Sequence, residues 1–433
     1  MDSIKVGLLG LGVVGGGTWS VLQRNAEEIS RRAGRQIEIV QVAVRDVAKA
    51  RAKVGDAVEI TNDAMQVVSN PQIDIVVELI GGTTLARDLV LAAIRHGKHV
   101  VTANKALLAT HGTEIFEAAS AKGVMVAFEA AVAGGIPIIK AIREGLTANR
   151  IEWVAGIING TTNYILTEMR NRSLSFEQAL SQAQQLGYAE ADPTSDVEGF
   201  DAAQKLTLLA SMAFGIPVQL ARAYVEGITH VNDQDIEIAE RLGFRIKLLG
   251  ITRRRPEGIE LRVHPTLVPA SSMLANVEDA MNAVLVNGDA VGQTLYYGKG
   301  AGEEPTASAV VADLVDVTRL HTADPEHRVP HLAFQPESMV DIPVLSIEEV
   351  RCGYYLRMTV NDTPGVLAEV AKVLANSDIS IGSMIQEPAA DGVATLIFMT
   401  HMAQEKNVMS AISKIEAMSF MRSAVTRLRV ESF

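Results

Sequence analysis

The chain has 433 residues, more than one hydrophobic core usually serves, so two or three domains are expected. A net charge of −12 with 4% aromatic residues excludes a nucleic-acid surface, which needs a basic stripe and stacking rings. One cysteine (Cys352), no leader-like N-terminus and no uncharged apolar run of about 20 residues exclude an intrachain disulfide, a signal peptide and a membrane span, so a cytoplasmic protein is expected.

In chain order, residues 4–9 (Ile-Lys-Val-Gly-Leu-Leu) read as a strand running into Gly10-Leu-Gly-Val-Val-Gly15, and Thr18 to about Ser30 reads as a helix. Strand-like 37–44 ends at Arg45-Asp46. Strand-like 73–80 ends at Gly81-Gly82, and a helical stretch at 86–96 leads to a strand at 99–102. Apolar strands alternating with helices imply right-handed βαβ units around a parallel sheet. From about residue 131 the rhythm changes. Helical patterns at 137–144, 162–172, 176–186, 201–214 and 235–242 mix with strands at 245–251, 258–263 and 283–286, which reads as an α+β domain ending near 302. A strongly helical segment, 303–321, follows and is assigned back to the first domain. Residues 322–349 carry Pro325, Pro330, Pro336 and Pro343 with little periodicity and read as a linker. The tail, 350–433, spells strand (355–360), helix (364–375), strands (379–385 and 393–400), helix (403–416) and strand (423–430). That βαββαβ order is ferredoxin-like. The fold class is therefore α/β, with an N-terminal nucleotide-binding domain at 1–130, an α+β domain at 131–302 and a ferredoxin-like tail.

Gly10-x-Gly12-x-x-Gly15 lies where a dinucleotide fingerprint must lie, directly after a strand and opening a helix. The first glycine permits the tight turn, the second lets backbone approach a pyrophosphate, and the third allows close helix–strand packing. Gly10, Gly12, Val13, Val14 and Gly15 are the expected phosphate cradle, with the helix N-terminus facing the anion. At the end of the second strand an acid would accept from the ribose 2′-OH of NAD, whereas an arginine would pair with the 2′-phosphate of NADP. Arg45 followed by Asp46 favours NADP and leaves NAD open.

The most unusual stretch is 187–206, an acid-rich loop with Glu190, Asp192, Asp196 and Glu198 that runs into a helical pattern placing Asp201 and Lys205 four residues apart, on one helix face. Carboxylates beside a lysine suit a site that holds a small ammonium-bearing molecule and moves one proton. Alone, the same residues would also describe a solvated loop with a surface ion pair.

Four blocks together resemble homoserine dehydrogenase over essentially the whole length: Gly10–Gly15, Val101-Thr-Ala-Asn-Lys-Ala106, Gly187–Lys205, and Gly298-x-Gly-Ala-Gly-x-x-Pro-Thr-Ala-Ser308. The resemblance implies reversible reduction of L-aspartate 4-semialdehyde to L-homoserine with NAD(P)H, on the path to threonine, methionine and isoleucine. The kinase of bifunctional relatives is not expected, because the first strand begins at residue 4. By motif, Lys205 resembles the catalytic lysine, Asp201 its companion and Lys105 the lysine between cofactor and substrate. Glu190 resembles the substrate-amine ligand, Asp196 a second acidic site residue, and Gly302 a cofactor contact. The Glu129 side chain with the carbonyls of Val132, Gly134 and Ile136 resembles a monovalent-cation loop suited to sodium, and a Gly-rich hinge is the other reading.

Charge develops on the substrate oxygen during carbonyl reduction, and two nearby ammonium groups can stabilise it while one donates a proton. Lys205 is the expected donor and Lys105 its electrostatic partner. Oxidising the same semialdehyde to an acyl phosphate would need a thiol nucleophile, and the one cysteine, Cys352, is far in sequence from the nucleotide motif. A non-catalytic NADP sensor and an ammonia-releasing amino-acid dehydrogenase remain as alternatives.

The tail's Asn361-Asp-Thr-Pro-Gly-Val-Leu367 turns from strand into helix, and with the βαββαβ order it resembles an ACT domain. That resemblance implies an amino-acid effector, expected to be threonine, or else a dimerisation module without a ligand. A homodimer or homotetramer is expected, with no nucleic-acid or membrane partner.

Overall fold

The structure, a computed structural model, describes residues 3–388 and 392–433. Its first half alternates strand and helix: β1 (Ile4–Leu9), α1 (Val13–Arg24), α2 (Ala26–Ala33), β2 (Ile37–Ala43), α3 (Val47–Val54), β3 (Glu59–Thr61) and α4 (Ala64–Ser69). It continues with β4 (Ile75–Glu78), α5 (Leu85–Arg95), β5 (His99–Thr102), α6 (Lys105–Lys122) and β6 (Val126–Ala127). The strands form one six-stranded sheet in the order β3-β2-β1-β4-β5-β6, and every pairing is parallel. Helices on both faces explain why β4 and β5 are buried end to end and read as continuous apolar runs. The strand order reverses beside β1, so the glycine turn after β1 opens onto the crevice where ligands of such sheets bind.

The α+β half contains α7 (Ile138–Lys140), β7 (Ile151–Ile157), α8 (Gly160–Arg172), α9 (Phe176–Gln185), α10 (Thr194–Val197), α11 (Phe200–Phe214), β8 (Tyr224–Val225) and α12 (Asp233–Arg241). It closes with β9 (Phe244–Arg254), β10 (Ile259–Pro269), β11 (Met281–Gly288), β12 (Gly292–Lys299) and α13 (Glu303–Leu320). α13 leaves this half and packs on α1. Ala307, Val310 and Leu314 share a core with Val6, Leu8 and Val21, so the chain returns to pack on the parallel-sheet half. The tail is β13 (Arg351–Asn361), α14 (Val366–Asn376), β14 (Ile381–Pro388), β15 (Val393–Thr400), β16 (Ala403–Gln404), α15 (Glu405–Glu416) and β17 (Thr426–Val430). Among the described residues no helix is long and apolar enough to cross a membrane.

Among the departures from the sequence-based picture, two bear on the site. The helix expected at 18–30 is two helices. α1 starts five residues earlier, straight after Gly12, and breaks at Asn25. Gly15, Gly16 and Gly17 lower helix propensity, but they are buried where Gly17 touches α13, so packing overrides propensity. The tail, in turn, is not a free-standing appendage. β17 pairs in parallel with β10 (Thr266 opposite Arg429, Leu267 opposite Val430), which fuses both halves into one sheet of order β12-β11-β7-β9-β10-β17-β13-β15-β14. The segment before it is also docked: Ile259 N–H donates to the Pro343 carbonyl at 2.9 Å, and Leu345 N–H returns a bond to the Ile259 carbonyl.

Candidate functional site

Each glycine of the turn after β1 has a separate steric reason. Gly10 sits at φ +94°, and a Cβ there would lie 2.9 Å from the Leu79 carbonyl oxygen. A Cβ on Gly15 would meet the Gly10 oxygen at 2.2 Å, whereas one on Gly12 would meet nothing within 4 Å. Gly12 thus faces open space at the N-terminus of a twelve-residue helix with no acid in its first turn, while Gly10 and Gly15 are packing glycines. Val13 and Val14 supply the first amides of that helix. These residues fit a dinucleotide pyrophosphate. Arg45 is exposed at the end of β2, and Asp46 caps α3, its Oδ1 accepting from Lys49 N–H at 2.9 Å.

The loop after β4, packed beside the glycine turn, is held by Glu78. Its buried carboxylate accepts from the Ile80 and Gly81 amides at 3.0 Å each and from Thr102 Oγ1 at 2.6 Å. Thr102 in turn accepts from Asn104 N–H, Asn104 Nδ2 donates to the Gly82 carbonyl, and Asn104 Oδ1 caps α6. Lys105 follows as the first residue of α6, so the Thr-Ala-Asn-Lys block is a chain of contacts that aims one lysine.

Lys105 reaches out of the nucleotide domain to a helix of the other half. Its Nζ lies 3.2 Å from Asp201 Oδ1, while Lys205 Nζ lies 2.7 Å from Asp201 Oδ2. Asp201 and Lys205 are buried and Lys105 is about one-third exposed. Burial opposes the Asp201 charge, but the Lys205 and Lys105 ammonium groups outweigh it and hold the carboxyl at about 2. Burial lowers the Lys205 pKa, Asp201 opposes that shift, and Lys105 adds to it. Lys205 also donates to the Ile158 carbonyl at 2.8 Å. Asp196, on the short helix before α11, is raised by burial and by Asp201.

Sequence reasoning missed Asn159. This residue caps α8 through its Oδ1, and its Nδ2 donates to both Asp196 Oδ1 (2.7 Å) and Asp201 Oδ2 (2.8 Å). Asn before Gly-Thr-Thr is legible as a helix cap; nothing local says that the same amide will bridge two carboxylates contributed some 40 residues later. Asn282 was missed too. It is buried against the Gly300 backbone, and neither its Oδ1 nor its Nδ2 has a hydrogen-bond partner. Glu190 does not join the cluster through any contact: it is exposed, and its main-chain carbonyl accepts from Gln184. Gly302, at φ +126°, caps the start of α13.

Glu129 is buried, its two oxygens accepting from the Ile139 and Lys140 amides at 2.9 Å each. Burial raises its pKa to about 7 against those two bonds and the nearby Arg143 and Lys140 charges. The following loop passes through positive φ at Ala133 and Gly134, and the Ile136 carbonyl accepts from Ile138 N–H at 2.8 Å. Asp313 of α13 accepts from Glu129 N–H at 2.8 Å, and burial raises its pKa well above the usual range. Among the described residues no cluster of three or more His, Cys, Asp or Glu is placed to hold a metal ion, so a cation here would rest mainly on backbone oxygens.

Residues 10–129 match the family model described as the NAD binding domain of homoserine dehydrogenase, residues 137–315 match the homoserine dehydrogenase model, and residues 354–419 match the ACT domain. The homoserine dehydrogenase of Pseudomonas aeruginosa is 60% identical over 433 residues, covering 100% of this chain and 99% of its own length. That of Neisseria gonorrhoeae is 53% identical with the same coverage. The crystal structure of a homoserine dehydrogenase from Thiobacillus denitrificans superposes with a TM-score of 0.96 at 63% identity, covering 100% of this chain and 99% of that one. The nucleotide fold, the shared carboxylate and these matches agree, and the chain belongs to the homoserine dehydrogenase family, oxidoreductases acting on a CH–OH group.

Proposed function

We propose that this chain interconverts L-aspartate 4-semialdehyde and L-homoserine with NADP as the preferred cofactor, and that Lys205 moves the proton. The observation that carries the reading is the pair of lysines from two domains held on opposite oxygens of Asp201. A buried ammonium with a lowered pKa is suited to donate a proton to an oxygen that becomes negative, and to take it back in the reverse direction. Lys105 supplies a second positive charge to the same oxygen, and Asp201 orients Lys205 while keeping both cations in place. When bound at the glycine turn, the nicotinamide cofactor accepts or supplies the hydride. Gly10, Gly12, Val13, Val14, Gly15 and Gly302 would hold it. Arg45 would pair with a 2′-phosphate, a reading helped by the use of Asp46 as a helix cap.

Glu190 and Asp196 are assigned to the substrate ammonium, Glu190 closing on it from an exposed loop. Glu129 with the Val132, Gly134 and Ile136 carbonyls is assigned to a sodium ion; a buried carboxylate with a raised pKa gains most from a cation. The ACT domain is assigned threonine as feedback effector, the assembly is a homodimer or homotetramer, and the enzyme serves threonine, methionine and isoleucine synthesis in the cytoplasm. Steady-state rates with homoserine and either NADP or NAD, with and without threonine, test these assignments together. Nucleotide binding without turnover would favour a sensor, and ammonia among the products an amino-acid dehydrogenase.

A further inference from the structure

Outside the reaction centre, a buried group of charged side chains lies where the tail meets the catalytic half. Glu226 stands at its middle, one residue after β8. Its Oε2 accepts from Arg429 Nη1 (2.8 Å), Arg427 Nη2 (3.0 Å) and Tyr224 Oη (2.6 Å), and its Oε1 faces His230 Nε2 at 3.2 Å. Both arginines come from β17 and also bind Glu405 at the start of α15: Arg427 Nη1 at 2.6 Å, and Arg429 at 2.7 and 2.9 Å. Burial opposes the Glu226 charge, yet the His230 hydrogen bond and the two guanidinium groups hold its pKa far below the usual carboxylate range.

The residues immediately after Glu226 touch the turn that feeds α11. Ile228 N–H donates to the Val197 carbonyl at 2.8 Å, and Thr229 Oγ1 donates to Glu198 Oε1 at 3.3 Å. A Cβ on Gly227 would lie 2.4 Å from the Val197 oxygen and 2.6 Å from Glu198 Cα, so the two backbones are in direct contact. Gly199, at φ +84°, packs on Val225 and Val263 and caps α11, two residues before Asp201. Asp196 lies on the other side of the same turn.

We propose that Glu226 is a positioning residue for the reaction: clamped by Arg427 and Arg429 of the ACT domain's last strand, it seats segment 226–229 against the 196–199 turn and thereby sets Asp196, Asp201 and Lys205. The ACT domain then reaches the proton-transfer lysine through one strand, β17, and one carboxylate. A rearrangement of β17 or of the α15 start on effector binding would alter the same contact. This rests on Lys205 being the proton-transfer group. The groups facing that lysine are Asp201 beside it on α11, Asp196 on α10, Lys105 on α6, and the Ile158 carbonyl with Asn159 at the start of α8.

The test uses the full chain with Glu226→Gln, Arg427→Gln, their double variant, and Glu226→Asp as the conservative comparison. Circular dichroism and fluorescence titration with NADP report folding and cofactor affinity. The linkage predicts a homoserine KM raised about five- to tenfold in each single variant, the low range of coupling between linked sites. It also predicts a displaced pH midpoint of kcat, partial recovery in Glu226→Asp, and a double variant no worse than the worse single. A loss of folded protein lowers kcat but moves neither KM nor the pH midpoint. Wild-type KM and pH midpoint in folded single variants, or strictly additive effects in the double, overturn the proposal. Should Glu226→Gln not fold, Thr229→Val decides, since it breaks the contact to Glu198 from an exposed position; about a twofold rise in KM supports the linkage and no change overturns it. Absence of turnover in the wild type with homoserine would instead defeat the function, and full turnover in Lys205→Met the role of Lys205, so these failures are distinguishable.

Discussion

Lys105 and Lys205 are separated by 100 residues and belong to different domains, yet they bind opposite oxygens of one buried carboxylate, at 3.2 and 2.7 Å. Two like charges this close repel each other, and Asp201 makes the arrangement tenable. The same contact joins α6 of the parallel-sheet half to α11 of the catalytic half.

Replacing Lys205 with Met keeps the length of the side chain and removes the transferable proton. kcat is expected to fall by about 10²–10⁴, the range for a positioned acid–base group, while NADP affinity by fluorescence titration stays near wild type. Turnover within a factor of three of wild type would move the acid elsewhere.

Asp201→Asn bears on pH. In its proposed role Lys205 must be neutral to accept the hydroxyl proton in homoserine oxidation, so kcat rises with pH through the lysine's pKa, which burial lowers from its ordinary value. Asp201 opposes that lowering, so its neutralisation moves the midpoint to lower pH by about 1–3 units, the scale of one nearby opposite charge. For aldehyde reduction the protonated lysine is required, and the activity must fall with rising pH across the same midpoint. A pH–rate profile of each direction checks both signs; an unmoved midpoint in the variant contradicts the assignment.

Asn159→Ala removes a helix cap together with the bridge between Asp196 and Asp201. The lost cap alone costs about 0.5–2 kcal/mol of stability. Because the two carboxylates are then free to move apart, kcat is expected to drop about tenfold beyond what loss of folded protein explains. Calorimetry with active-site titration separates the two effects.

Arg45→Ala is expected to raise the KM for NADP about tenfold or more, the value of a charged hydrogen bond to phosphate, and to leave NAD nearly unchanged. Unaltered preference between the two cofactors removes the reason for naming Arg45.

Truncation after residue 345, a natural way to separate activity from regulation, is expected to damage the fold. It strips β17 from β10 and leaves Glu226 and Asp235 without Arg429, Arg427 and Arg357, and breaking a buried ion pair costs about 3–5 kcal/mol. A lowered melting temperature or insoluble protein is the expected result; a truncated enzyme with wild-type Tm and kcat contradicts it.

The sequence by itself determined much of what local spacing carries, though not where α1 begins and breaks. The period of the apolar residues gave the parallel sheet and the βαββαβ tail, the three glycines marked the tight turn between β1 and α1, and the i,i+4 relation placed Asp201 beside Lys205. These depend on neighbours within one turn or one strand, whose steric and hydrogen-bonding needs are written in adjacent residues. The tertiary structure alone decided which partners meet across long separations. Asn159 bridging Asp196 and Asp201, Lys105 arriving on the free oxygen of Asp201, and β17 closing on β10 so that Arg427 and Arg429 grip Glu226 are all of this kind. Any asparagine can cap a helix and any strand has an edge to pair. Which carboxylate or which edge it finds is set by how whole elements pack to bury their apolar faces, a property no short window of residues contains.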